Sequence, residues 1–201
     1  MSIIPKSNRQ VAAEFERLGG CYHKYEDEAG GYWDFVVNKF RVHIVPWRRT
    51  IEPFRRPPTE RSKLGIQCAI GHTELGALAE QILDDRSYGF LCMRWEDHTM
   101  EVPDCEPLSE GFGKLASSFL AELGSRKLDD FIAEFRQPPP DRPRWHEVFH
   151  LAALAWVGDF GTLDEYSAIF KRGKRLNFSP RISAEMIDRA ACIAVDRFSQ
   201  L

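Results

Sequence analysis

The sequence predicts an α+β protein: an N-terminal mixed sheet of about four to five mainly antiparallel strands with two helices, followed by a C-terminal helical bundle. Two observations predict it. Up to residue 106, short runs of β-branched and aromatic residues alternate in polarity with a period of two, and from Pro107 onward the apolar period lengthens to about 3.6 residues and stays there. This change divides the chain into an expected sheet domain over residues 1–106 and a helical domain over residues 107–201, with one continuous globular unit as the alternative. At 201 residues, 43% of them hydrophobic and 12% aromatic, the chain can bury a sizeable core.

The elements follow in order. Ser7-Asn8-Arg9-Gln10 reads as a capping box, Val11, Phe15 and Leu18 share the next helical face, and Gly19-Gly20 ends that helix. After the acidic run Glu26 to Glu28, which reads as a solvated turn, residues 32–37 and 40–45 are two β-rich runs joined only by Asn38-Lys39, a hairpin signal. Phe40, Val42 and Ile44 alternate with Arg41 and His43, as in a strand with one face buried, and Pro46 is expected to close it. Residues 64–70 read as a third strand, Thr73 opens a helix with Leu75, Leu78, Ile82 and Leu83 inward, and residues 88–95 and 99–102 read as two further strands. Ser109 is expected to cap a helix whose stripe of Phe112, Leu115, Phe119 and Leu123 ends at Gly124. A shorter helix carries Leu128, Phe131, Ile132 and Phe135, and the proline-rich stretch 138–143 forms a stiff connector. Helices over 145–157, 163–171 and 183–198 complete the chain, the first apolar on almost every side and therefore central.

Totals narrow the function. No stretch reaches the roughly 18 apolar residues of a membrane span and residues 1–10 lack the apolar core of a signal peptide, so a cytoplasmic protein without a membrane partner is expected. Cys21, Cys68, Cys92, Cys105 and Cys192 are odd in number and scattered, which suits reduced thiols, with Cys68, Cys92 and Cys192 expected to be buried. A net charge of -3 gives no global attraction to nucleic acid or anionic lipid. No glycine-rich phosphate loop and no G-x-S-x-G elbow is present.

Residues 46–63 read as a long loop, rich in arginine and stiffened by proline, and the stretch 47–63 suits an acidic partner surface or a phosphate backbone. The expected partner-binding residues are Trp47, Arg48, Arg49, Phe54, Arg55 and Arg56. Trp33, Trp47 and Trp95 are expected to give the surface its aromatic character. Lys171, Arg172, Lys174 and Arg175 form a second basic cluster, which the negative end of a helix dipole explains.

One motif carries chemistry. His146-Glu147-Val148-Phe149-His150 matches H-E-x-x-H, in which two imidazoles one helical turn apart grip Zn²⁺ while the glutamate serves as general base toward the metal-bound water. It resembles the zincin metallopeptidases, and Gly161-Thr162-Leu163-Asp164 resembles the G-T-x-D element of the aspzincin group. The resemblance implies His146, His150 and Asp164 as zinc ligands, with Glu165 or Glu185 as alternatives to Asp164, and Glu147 as the catalytic residue. The competing reading is structural: two histidines begin a buried helix, Thr162 caps the next one, and Glu165 completes its capping box.

The order helix, three strands, helix, two strands, helix over about residues 7–123 resembles the small α/β fold of type III secretion chaperones and related bacterial proteins. That resemblance implies a non-catalytic protein-binding protein of the bacterial cytoplasm, a toxin-neutralising immunity protein or a chaperone-like escort, working without a cofactor. Its partner would be a protein such as a cognate toxin or effector, and a homodimer stays open. The alternatives are a zinc-dependent hydrolase using residues 146–150 and a nucleic-acid binder using the arginines of 47–63, the latter disfavoured by the net charge.

Overall fold

The computed structural model describes residues 2–3, 8–25, 30–51, 61–85, 90–103, 106–137 and 146–199, without the side chains of residues 2, 3, 50 and 51. In chain order the elements are β1 (Ser2–Ile3), α1 (Arg9–Arg17), β2 (Cys21–Lys24), β3 (Gly31–Val37), β4 (Phe40–Ile51), β5 (Arg61–His72), α2 (Thr73–Leu83), β6 (Arg94–Pro103), α3 (Leu108–Ser125), α4 (Leu128–Phe135), α5 (His146–Val157), α6 (Phe160–Lys171) and α7 (Ala184–Phe198). The architecture is α+β, and the strands follow the order β2-β3-β4-β5-β6 with β1 added against β4. The chain divides into two compact units, one of Met1–Ile70 with Arg94–Arg126 and one of Gly71–Met93 with Lys127–Leu201. The division therefore does not fall at residue 106: α3 groups with the sheet, and α2 groups with the later helices.

In the first unit the alternation seen in the sequence builds the sheet. Trp33, Phe35, Phe40, Val42, Ile44, Leu64, Ile66 and Cys68 are buried, and Phe15 of α1 and Phe112 of α3 close over them. Phe15 lies 5.4 Å from Trp33, 6.1 Å from Phe35 and 6.4 Å from Phe112 between ring centroids. The two helices approach closely because α3 offers Gly113, where a Cβ would collide with Glu14 of α1. Asn38 and Lys39 both take positive φ, 48° and 69°, which makes the turn a primed two-residue hairpin whose twist matches that of the strands. The Asn38 amide also donates to the Gly124 carbonyl at 2.7 Å, tying the hairpin to the end of α3.

Pro46 does not close β4. The β3 partner of this strand ends at Ile44 (against Trp33) and its β1 partner begins at Trp47 (against Ile3), so Pro46 stands in the step between them, where a residue without an N–H is tolerated. The expected long loop is accordingly strand up to Ile51 and again from Arg61, while residues 52–60 lie outside the described residues. Of the strand expected over 88–95 only Arg94 and Trp95 are strand, and they run on through the expected 99–102 as a single one, β6, paired antiparallel with β5 from Arg61↔Pro103 to Ile70↔Arg94; residues 90–93 are not strand and 88–89 lie outside the described residues. β2 was not anticipated; only Tyr22 of its four residues is other than exposed, so it carries no apolar signal.

An ion-pair network fastens α3 to β6. Arg126 donates to Glu96 at 2.6 and 2.9 Å and to Glu122 at 2.7 Å, and His98 lies 3.2 Å from the same Glu96 carboxylate. Burial alone would raise the Glu96 pKa, yet the Arg126 guanidinium holds it below the ordinary carboxylate value. Arg126→Ala is expected to cost about 1–2 kcal/mol, measured as a shift of the urea midpoint with an unchanged slope.

In the second unit α5 is central, with every residue from Glu147 to Ala155 buried. α2, α4, α6 and α7 each pack against it. Ser183 caps α7 with Met186 reciprocating. The other caps differ. Asn8 caps α1 (Ser7 lies outside the described residues), His72 rather than Thr73 caps α2, and Pro107 precedes α3 with no side-chain cap from Ser109. Asp159 caps α6, which puts Thr162 inside the helix and removes the expected capping box there. Arg189 of α7 donates to the Ile82 carbonyl at 2.7 Å, satisfying the exit of α2. Cys68 is buried, which pushes its thiol pKa up, whereas Cys192 is exposed and Cys92 intermediate, so two of the three expected burials do not hold.

Candidate functional site

The H-E-x-x-H residues sit on the first turns of α5 as their spacing requires, and their surroundings decide what they can do. His150 is 0% exposed. Its Nδ1 lies 2.7 Å from the Phe135 carbonyl, which can only accept, so Nδ1 carries the proton; Nε2 then accepts from the Tyr166 hydroxyl at 3.2 Å. Both ring nitrogens are thus engaged. Burial holds the imidazole below its ordinary pKa despite the Phe135 carbonyl, and it holds the Tyr166 phenol above its own, so both groups stay neutral. Glu147 is 5% exposed and accepts from the Ser179 amide and hydroxyl, each at 2.5 Å, an anchor for the segment before α7 rather than a base facing water. His146 packs against Phe135, the ring centroids 4.9 Å apart and the planes tilted by 54°. Asp164 is exposed, as is Glu165, and among the described residues no three His, Cys, Asp or Glu side chains are grouped as a metal would need. The residues do not fit a zincin centre, because a metal at His150 would have to displace a buried hydrogen bond at either nitrogen.

The second basic cluster is likewise spoken for in large part. Arg175 donates to the Ser179 and Ile182 carbonyls and lies 5.6 Å over Phe170, Arg172 donates to Ala168, and Lys171 pairs with Asp188 at 3.5 Å.

The expected partner-binding stretch is split by the strand it belongs to. Trp47 and Arg48 are neighbours in β4, so they point to opposite faces. Arg48 donates to the buried Ser62 at 2.9 Å, on the helix-covered side with Leu64 and Ile66. Trp47 lies across Gly65 on the other side, where any Cβ would run into the indole. Arg49 is exposed, and Phe54, Arg55 and Arg56 lie outside the described residues.

What the strand period does assemble is the sheet face turned away from α1 and α3. On it stand His23 of β2, Tyr32, Asp34 and Val36 of β3, Arg41, His43 and Trp47 of β4, and Trp95, Asp97, Thr99 and Glu101 of β6. Tyr32 is stacked between His23 at 5.4 Å and His43 at 4.0 Å, with Tyr25 at 5.6 Å. Asp34 accepts from Arg41 at 2.8–3.1 Å and lies 3.6 Å from His43 and 3.8 Å from His23. Burial lowers the His43 pKa to about 4, the neighbouring Arg41 and His23 push the same way, and Asp34 opposes them. His43, within the stack, is therefore neutral at pH 7. Around it Val36 is 66% and Trp95 62% exposed, whereas Trp33 faces the core at 2%. Of the three tryptophans expected at the surface, one is fully buried. The polar half of the alternation, Tyr32, Asp34, Arg41 and His43, is the sequence signal that marks this face.

No helix among the described residues is long and apolar enough to cross a membrane. No curated protein and no solved structure matches the chain. A family model matches residues 7–195, nearly the whole chain including β3, β6 and α5: the protein belongs to the family of unknown function DUF6990.

Proposed function

We propose that this is a protein-binding protein whose docking surface is the open face of the sheet in its first unit, and that it acts by holding a partner, as a toxin-neutralising immunity protein or a secretion-chaperone-like escort in a bacterial cytoplasm does. The observation that carries this reading is the pairing of two widely exposed apolar side chains, Trp95 and Val36, with a pre-stacked aromatic centre on a sheet whose helices lie on its other side. Large aromatics on a rigid surface give contact area at little entropic cost, which is what interface hot spots need. The free thiols at Cys21, Cys68, Cys92 and Cys192 suit a reducing compartment. The H-E-x-x-H residues are accounted for by packing, which removes the main support for a hydrolase.

A photo-crosslinking residue placed at position 95 or 36, with position 165 in the second unit as control, tests it in the native cells. One discrete protein is expected to crosslink from 95 and 36 and not from 165, to bind the purified chain, and to bind the Trp95→Ala variant about tenfold more weakly. Equal labelling at all three positions would dismiss the reading.

A further inference from the structure

The open face ends in β6, and the outer edge of this strand has no strand partner among the described residues. β6 is ten residues long and pairs with β5 along its whole length, so its backbone is held extended as a template. In such a strand every second residue directs its N–H and C=O away from the neighbour it already has, and a chain laid alongside can take those bonds. The side chains decide which chain. Those on the open face of β6 are Trp95, Asp97, Thr99 and Glu101, all exposed. Asp97 and Glu101 present two carboxylates four residues apart to whatever lies next, while the positive neighbours of Glu101, Lys63 directly opposite and Arg61 at 3.7 Å, sit behind it on β5. Cross-strand neighbours of opposite sign stabilise and like charges repel.

A second copy of β6 meets that rule badly. For two antiparallel copies related by an axis normal to the sheet, the central register through Asp97 sets that residue against itself, and the register through Thr99 sets Asp97 against Glu101. The register through His98 avoids the clash but places Trp95 against Glu101. The same carboxylates that deter self-association favour a cationic neighbour.

We infer that β6 receives an extended segment of a protein partner as an added antiparallel strand. The segment carries Lys or Arg opposite Glu101 and, four residues later, opposite Asp97, with a third cationic or guanidinium-bearing residue two further on, over the Trp95 indole. This rests on the protein-binding reading and names the chemistry of the partner for that surface.

The probe is a labelled Thr/Val-rich peptide of about ten residues with lysines four positions apart and an arginine two beyond, titrated to millimolar concentration against the full chain. It is expected to bind at least about fivefold more tightly than the same peptide with glutamates in place of the cations, and the preference is expected to vanish in the Asp97→Asn, Glu101→Gln double variant. Methylating alternate peptide nitrogens is expected to abolish binding in one phase of the alternation and spare it in the other, because only one set of amides faces β6. Binding indifferent to both methylation phases, or to the charge reversal, overturns the inference. So does a stable homodimer that loses its contact on Asp97→Lys, which would mean a second copy occupies the edge. A partner crosslinked at Trp95 and Val36 with no saturable peptide binding defeats this inference alone; absence of both defeats the protein-binding reading as well.

Discussion

His150→Ala is expected to lower the unfolding free energy by about 3 kcal/mol, and removal of metal from the wild-type protein is expected to change it not at all. The side chain is fully buried, with the Tyr166 ring 5.8 Å and the Phe178 ring 6.1 Å from its own. Truncation therefore leaves a cavity and strands both the Phe135 carbonyl and the Tyr166 hydroxyl, whose hydrogen bonds it made. His150→Asn restores a donor near the Nδ1 position and is expected to recover about 1 kcal/mol of the loss. Urea unfolding with and without a chelator separates this structural role from a ligating one. A metal centre would make the chelated wild type as unstable as the alanine variant and would leave the asparagine variant no better.

That case shows what was legible in the sequence and what was not. The spacing of His146 and His150 announced one face of a helix, and the helix is there. It could not announce what waits at the ring nitrogens, because Phe135 and Tyr166 come from other elements and a carbonyl leaves no mark in a sequence. In the sheet, Phe40, Val42 and Ile44 read correctly because their burial follows the period of two. β6 read as two strands with a break, since Glu96 and His98 occupy its inward positions, where Arg126 satisfies the Glu96 carboxylate and that carboxylate in turn engages His98. Pro46 misled because proline is an ordinary strand terminator, and only the exchange of β3 for β1 at that step shows why the strand continues. The partner surface was sought in the arginines after Trp47, a cluster in sequence, whereas in the fold the gathering is across strands. Tyr32 and His43 belong to one hairpin and Trp95 to a strand much later in the chain, yet all three share a face.

The histidines of the two units also set the response to acid. His43 has its pKa lowered to about 4 from 6.5, chiefly by burial, and burial lowers that of His150 as well. Between those limits the unfolded chain binds protons that the folded chain refuses, so stability is full above pH 6.5 and declines as pH falls toward 4. The loss attributable to His43 is on the order of 2 kcal/mol after allowance for solvent near the sheet face. Carboxylates act in a separate window. Glu14, lowered by its hydrogen bond from Arg17, and Glu96, where Arg126 outweighs burial, contribute stability that is lost only below their ordinary value of 4.5. Urea midpoints taken between pH 7 and pH 5 therefore report the imidazoles and little else. His43→Asn is expected to be less stable at pH 7, where it forfeits the stacking on Tyr32 at 4.0 Å, yet flatter across this range. A wild-type midpoint that does not move between pH 7 and pH 5 would show that the stack takes up its proton as readily as the unfolded chain does, and that Asp34, at 3.6 Å, outweighs the burial of His43.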